Sequence, residues 1–250
     1  FAIGLTLRPI VGDLGWARSD LGLAVALFQT VSAFAMFAAG YLADRMSPRL
    51  VLTGGLLVSG IGIGLMSVMS APWHAHALYG GLFALGNGAA SLTPVSVMVT
   101  RAFPQRAGFA NALVMSGMSA GQLVVIAALT AVMLALDWRA VFLLLGLAHV
   151  LMVPVTLFAV PKSTREQART NRPTEGLGLI EALRTRRLWL LMAVYAICGF
   201  DDFFVATHVV AFAQDRGVDA FLAGNLLALM GLAGLIGVIA AGAVSDRTGP

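Results

Sequence analysis

Charge is scarce in this sequence. Lys and Arg number 16 and Asp and Glu 12, together 11% of 250 residues, where a soluble domain carries roughly 25%. That scarcity excludes a globular enzyme of the aqueous phase and a disordered, charge-rich chain. Cysteine is scarcer still: Cys198 stands alone, so no disulfide can form within the chain and a disulfide scaffold is excluded. Neither H-E-x-x-H nor a P-loop pattern occurs, which counts against a membrane-embedded enzyme. The first residues lack a basic n-region and a cleavage site, so they do not read as a signal peptide.

What the sequence has instead is apolar length. Hydrophobic residues make up 59% and the mean hydropathy is +0.88, values that fit a protein whose solvent is lipid. Runs of about 20 apolar residues are needed to span a bilayer as helix. Seven full candidates occur: Leu21 to Leu42, Leu50 to Ser70, His76 to Thr100, Ala107 to Leu136, Ala140 to Val160, Leu188 to Phe212 and Ala220 to Val244. Their continuous hydrophobicity, without period-2 alternation, argues against an outer-membrane barrel. Phe1 to Leu14 is apolar but short, and reads as the end of a truncated first helix. The chain starts on Phe1 and stops at Pro250, just after a motif, so it is expected to be a piece of a longer protein.

The basic residues set an expected topology, because cytoplasmic loops collect Lys and Arg. If the first remnant runs outward, 12 of the 16 fall inside and only Arg8, Arg18, Arg139 and Arg216 outside. The net charge of +4 is thus an orientation signal, and no nucleic-acid partner is expected. Trp16, Trp73, Trp138 and Trp189 all fall at span borders, as an interfacial aromatic belt should. One long hydrophilic stretch, 161–187, has the Pro/Gly-broken composition of a solvated cytoplasmic linker. Its end, Leu179 to Arg187, reads either as plain connector or as a short helix on the membrane surface.

The two sides of that linker share a motif. Gly40-Tyr-Leu-Ala-Asp44-Arg45-Met-Ser-Pro48 recurs as Gly242-Ala-Val-Ser-Asp246-Arg247-Thr-Gly-Pro250, in register at an offset of 202 residues. Each copy closes a helix on the expected cytoplasmic side. Six helices per repeat is therefore the implied unit, a plan found in secondary transporters. Units are expected at 1–160 (six helices, the first truncated), 161–187 (linker) and 188–250 (helices seven and eight).

These residues resemble the major facilitator superfamily, whose loop between helices two and three reads G-x-x-x-D-[RK]-x-G-x-[RK]. The first copy supplies Gly40, Asp44, Arg45 and Arg49, with Ser47 at the second glycine; the second copy restores that glycine as Gly249. The resemblance implies an all-α polytopic bundle, part of a twelve-helix transporter truncated at both ends. Three further segments are similar to loops of the monocarboxylate porters and oxalate-formate type antiporters: Gly15-Trp16-Ala-Arg18-Ser19, Arg101-Ala-Phe103-Pro104-Gln-Arg106-Ala-Gly108 and Asp137-Trp138-Arg139. Where that group often has a Gly-Arg pair in helix eight, whose Arg partners a carboxylate, this chain has Gly237-Val238. That departure counts against a simple monocarboxylate.

The motif's chemistry is readable from its residues. Gly permits close helix approach, Asp can face a neighbouring helix N-terminus, and Arg can pair with acid or phosphate. Gly40, Asp44, Arg45, Arg49, Gly242, Asp246 and Arg247 are accordingly expected to gate, against the plainer reading of loop orientation. Intramembrane charge needs a reason. Asp201 and Asp202 fall inside helix seven with His208 two turns on, near Asp201's stripe. They are expected either to couple protons or, if the helix breaks there, to sit as solvated acids. Arg8 could hold a carboxylate bidentately or snorkel to headgroups.

Tyr79, Asn87, Ser91, Asn111, Gln122 and Asn225 are candidate cavity-lining residues, with Met115 and Met118 beside them as adaptable walls; helix glue is the alternative. Gly117-x-x-x-Gly121 and Gly60, Gly62 and Gly64 are expected in helix packing. His74 and His76 lack further ligands nearby, so neither a metal nor a cofactor is expected.

The expected function is secondary transport of a small organic solute, a carboxylate by resemblance, by alternating access and with possible proton coupling. The alternatives are an exporter of lipophilic compounds on the same fold and a solute sensor that has lost transport. Such a chain would sit multi-pass in a bacterial inner membrane, its partners solute and lipid.

Overall fold

The computed structural model describes residues 2–91, 95, 96, 99, 103, 107–160, 181 and 183–248, and all regular structure among them is helical. Helix α1 is Ala2–Leu14, α2 Arg18–Arg45 and α3 Pro48–Leu65, which runs into a 3-10 turn, Met66–Val68. Helix α4 covers 72–89 in three joined parts: α-helical Pro72–Ala75, π-helical His76–Phe83 and α-helical Ala84–Ala89. Then follow α5 (Ala107–Ala135), α6 (Trp138–Ala159), α7 (Arg186–Asp215) and α8 (Ala220–Thr248).

Six of these, α2, α3, α5, α6, α7 and α8, are long and apolar enough to cross a membrane. The third expected span, His76 to Thr100, is described over 76–91 and at 95, 96 and 99 only. Most of the Arg101 to Gly108 signature and of the 161–187 linker lies outside the described residues. Helix α7 runs unbroken through Asp201 and Asp202, so the expectation that it could break there is not met.

Local chemistry places the helix ends. Pro48 and Pro72 stand in the first turns of α3 and α4, where a missing N–H costs nothing. The Asp137 carboxylate accepts from Arg139 N and Ala140 N to cap α6, and Asp219 does the same for Phe221 N and Leu222 N at α8. Gly15 after α1 and Gly217 after α7 have φ of +67° and +84°, the left-handed geometry glycine adopts without a Cβ clash. These turns, with the start of α4, gather at one end of the bundle, because Arg18 bonds Asp215, Arg139 bonds Asp13 and His76 bonds the Asp20 carbonyl. It is called the Gly217 end below.

Between helices the packing is backbone on backbone. A Cβ on Gly146 of α6 would lie 2.6 Å from Gly64 Cα of α3, and one on Gly62 would lie 2.5 Å from Phe83 N of α4. A Cβ on Gly86 of α4 would overlap Ser59 N of α3. Small residues at such crossings are the usual means of helix association in lipid, where burial of apolar surface gives no drive. The expectation for Gly60, Gly62 and Gly64 is met. That for Gly117 and Gly121 is corrected: a Cβ on either would meet nothing within 4 Å, because spacing along α5 does not tell which face a neighbour occupies. Phe34, Phe37, Phe158 and Tyr195 are exposed on the outer surface, where only a lipid solvent makes such exposure favourable.

A cavity lined by aromatic rings, amides and one imidazole

Within the bundle, α1 to α7 enclose a cavity of about 470 Å³. Its aromatic wall is continuous: Phe28 of α2 lies 4.9 Å from Tyr79 and 5.3 Å from Phe83 of α4, ring centre to ring centre, and Phe203 of α7 adds a fourth ring at 6.4 Å from Phe28. The π-helical stretch produces this wall, since its wider turn contains both Tyr79 and Phe83. Such stretches are rare and frequent at functional sites.

Polar groups enter at three points: Asn87 on α4, Gln122 on α5 and His149 on α6. The Gln122 Nε2 donates to the Leu227 carbonyl of α8 at 3.1 Å, so this residue combines the cavity and glue roles. His149 Nδ1 donates to the Leu145 carbonyl at 2.8 Å, and its ring meets Phe83 edge-on at 6.0 Å. Among the described lining residues there is no carboxylate, guanidinium or ammonium.

The expected residues divide as follows. Tyr79, Asn87 and Gln122 line the cavity, with Met118 as a flexible wall. Ser91, Asn111 and Asn225 do not. Ser91 Oγ is buried with no hydrogen-bond partner among the described residues, Asn111 Oδ1 accepts from Ser96 Oγ, and Asn225 Nδ2 donates to the Phe221 carbonyl one turn back. Arg8 is exposed rather than lining the cavity, and its charge acts on Asp215. Asp201 and Asp202 are exposed and belong neither to the lining of this cavity nor to that of the groove between α2 and α7. His208 lines a separate groove between α2 and α7, its ring 5.0 Å from Phe204. No hydrogen bond or ion pair joins these three among the described residues, so the trio expected from helical spacing is not brought together here.

Of the motif residues, Arg45 lies over the Tyr41 ring at 4.0 Å, Gly40 and Arg49 are half-buried, Gly242 lies in α8, and the side chains of Asp44, Asp246 and Arg247 lie outside what is described. His74 and His76 have structural partners: His74 Nδ1 accepts from Ser70 N and Ala71 N, and His76 Nε2 bonds the Asp20 carbonyl.

His149 is the functional candidate that sequence reasoning missed. One His in an apolar run carries no spacing signal; only its i−4 relation to a cavity-facing Leu145 hints at the site.

The cavity is closed at the Gly217 end by two seams. In the first, α1 meets α7: Gly4 packs on the Ala206 carbonyl, and beyond it Arg18 binds Asp215 through both guanidinium nitrogens at 2.7 and 3.0 Å. The second joins α5 to α8. A Cβ on Gly231 would lie 2.7 Å from Leu123 N and 2.8 Å from the Ser119 carbonyl, and Gly224 abuts Thr130. Towards the other end the helices part. Among the described residues nothing stands within 4 Å of where a Cβ would lie on Gly117, Gly199 or Gly237, and 189–198 and 200–202 of α7 are exposed.

A third tie braces the Gly217 end. Arg139 and Trp138 Nε1 both donate to Asp13 Oδ2, at 2.7 and 3.2 Å. Chiefly through the Arg139 bond, and also through Trp138, the Asp13 carboxyl is held below the usual carboxylate range. A depressed value means the tie stabilises the fold above the unfolded carboxylate's pKa and loses its effect as pH falls through the folded one. Asp13→Asn is therefore expected to lower the melting temperature at neutral pH, and the gap to the parent to close on acidification, as detergent-phase melting curves would show. A gap that persisted in acid would assign the effect to shape rather than charge.

The Major Facilitator Superfamily profile matches residues 1–250. Similar proteins include the uncharacterized MFS-type transporter YcxA of Bacillus subtilis (strain 168), 23% identical over 262 residues, covering 100% of this chain and 64% of that one. Monocarboxylate transporter 12 of Rattus norvegicus is 26% identical over 227 residues, covering 79% and 46%. The oxalate:formate antiporter of Oxalobacter formigenes is 23% identical over 223 residues, covering 86% and 52%. This chain thus spans between 46% and 64% of the length of these relatives. With a profile matched from end to end, six membrane-length helices and a cavity at their centre, the chain belongs to the major facilitator superfamily.

Proposed function

We propose that this chain serves secondary active transport of a small organic solute, a carboxylate in first place, by alternating access between the unit at 1–160 and the one beginning at 188. The observation that carries the reading is the cavity. It spans both units, from Phe28 and Gln122 to Phe203, so that a solute bound there is exposed to one side or the other as the seams open and close. Relatives named for monocarboxylate and oxalate:formate transport support the substrate class. In this reading the Gly217 end faces outward and the 161–187 linker lies in the cytoplasm of a bacterial inner membrane. The Gly40–Arg49 and Gly242–Arg247 motifs act as inner gates. In this reading Asp201 and Asp202, on the exposed stretch of α7, exchange protons with the linker-side water, and His208 borders the groove between α2 and α7.

The test is uptake of a panel of organic acids by vesicles under an imposed pH gradient. Gradient-driven accumulation is expected. Replacing both acids, Asp201→Asn with Asp202→Asn, should remove the pH-driven part while leaving the protein folded. Unchanged proton coupling in that variant would remove the acids from the mechanism. Efflux of lipophilic dyes with no movement of acids would favour the exporter reading, for which the apolar cavity wall is the supporting observation. Solute binding without flux would identify a sensor.

A further inference from the structure

We propose that His149 is the anion-binding group of the cavity and that the solute it holds is an aromatic monocarboxylate. This rests on the solute-cavity reading above and names the ligand. An anion in an apolar enclosure needs a counter-charge or a dense set of donors. The cavity offers no fixed cation among its described lining residues. His149 is the basic side chain among the described lining residues, and imidazole is a side chain whose doubly protonated form carries a positive charge.

Its geometry suits the role. Nδ1 is committed as a donor to the Leu145 carbonyl, which fixes the tautomer and leaves Nε2 to accept when neutral and donate when protonated. Room for the ring comes from α3: a Cβ on Gly60 would stand 3.0 Å from His149 Cβ, so any larger residue there would displace it. The titratable group sharing the cavity from the elements packed around His149 is the Tyr79 phenol on α4; α3 and α5 contribute none to the lining. No carboxylate competes for the imidazolium there.

The remainder of the ligand follows from the wall. Phe28, Tyr79 and Phe83 have ring centres 4.9 to 5.3 Å apart, and Phe28 and Phe83 are nearly parallel, 17° between planes. Rings at such separations favour a further aromatic face or edge over an aliphatic chain. The amide of Asn87 provides a neutral donor beside them. An aromatic ring on the wall, with its carboxylate at His149, satisfies each group.

Benzoate, with benzamide as its uncharged analogue, tests this in the detergent-solubilised full chain. Calorimetric titration at pH 5.5 and pH 8 should show benzoate binding at least about fivefold tighter at the lower pH, following the imidazole's charge. Benzamide should show no such preference. His149→Gln should abolish the pH dependence, and His149→Arg should restore tight binding at both pH values; size exclusion and circular dichroism confirm folding of each. As a readout independent of variants, the ¹³C-imidazole resonance assigned to His149 should move on adding benzoate at pH 5.5. The proposal is overturned if folded protein fails to bind benzoate at pH 5.5, if pH dependence survives in His149→Gln, or if benzamide matches benzoate. A chain that transports organic acids but gives one of these results keeps the transport reading and loses this one. Benzoate binding as expected without flux does the reverse.

Discussion

Val in place of Gly86 is expected to leave little folded protein. Its Cβ would overlap the Ser59 backbone nitrogen of α3 and come within 2.7 Å of the Gly55 carbonyl. Neither helix can step aside. Helix α3 is held from behind by α6, where Gly60 and Gly64 meet Gly146, and α4 is held from behind by α2, where a Cβ on Gly88 would already lie 2.5 Å from Ala35 Cβ. Overpacking costs about 1–3 kcal/mol where side chains can relax and more where they cannot. A backbone obstacle with two further helices behind it belongs to the second kind, so about 3 kcal/mol or more is expected, a large share of a typical domain's stability. The measurement is thermal melting in detergent beside the yield of monodisperse protein. Gly117→Val is the control, since a Cβ there meets nothing, and it should be near neutral. Parental stability in Gly86→Val would mean that α3 and α4 do not cross as described.

Reversing one charge in the Arg18–Asp215 pair is expected to impair transport more than any surface substitution. The pair is bidentate, and both side chains are partly exposed, 53% and 39%. An exposed ion pair adds little to stability, so its importance lies in what it joins: the start of α2 in one unit and the end of α7 in the other. Asp215→Arg would set two guanidiniums against each other, with the Arg8 charge already acting at this point. The conformer closed at the Gly217 end would become disfavoured. A fall in solute flux on the order of tenfold is expected, in line with usual coupling strengths between sites. Electron-spin distances between labels on Ser19 and Gln214 should lengthen. The double exchange, Arg18→Asp with Asp215→Arg, should restore both flux and distance, which a merely structural disturbance would not allow. Undiminished flux in the single variant would show that the pair does not hold the seam.

Much of the fold could be read from the residues because lipid solvent makes the signal local. Apolar run length marks a span, and the Asp44–Arg45 and Asp246–Arg247 repeat counts helices between its copies. Orientation about each helix axis was less legible, since in lipid both faces are apolar. For this reason the spacing of Gly117 and Gly121 suggests packing where, among the described residues, they meet no neighbour, while Gly4 and Gly86, without such spacing, make close backbone contacts. The same ambiguity concealed His149. Tyr79, Asn87 and Gln122 were legible because polar atoms in an apolar run require some explanation, and all three line the cavity, Gln122 being tied to α8 as well. Asp201 and Asp202 drew notice on cost alone. On helix α7 they are exposed and Phe203, the next residue, lines the cavity, a matter of rotation that composition does not record. The π-helical stretch was invisible, since Gly80 and Gly81 permit a wider turn without demanding it.

The absence of fixed charge from the described cavity lining has an electrical meaning. Carrying one elementary charge through 100 mV involves about 2.3 kcal/mol. An empty, neutral cavity that passes from one side to the other moves no such charge, so its return step should be indifferent to membrane voltage. An anion loaded with one proton on His149 is likewise neutral as a unit. On the transport reading proposed above, the described lining adds no voltage-sensitive charge to either step, and any dependence of flux on membrane potential would report groups beyond it.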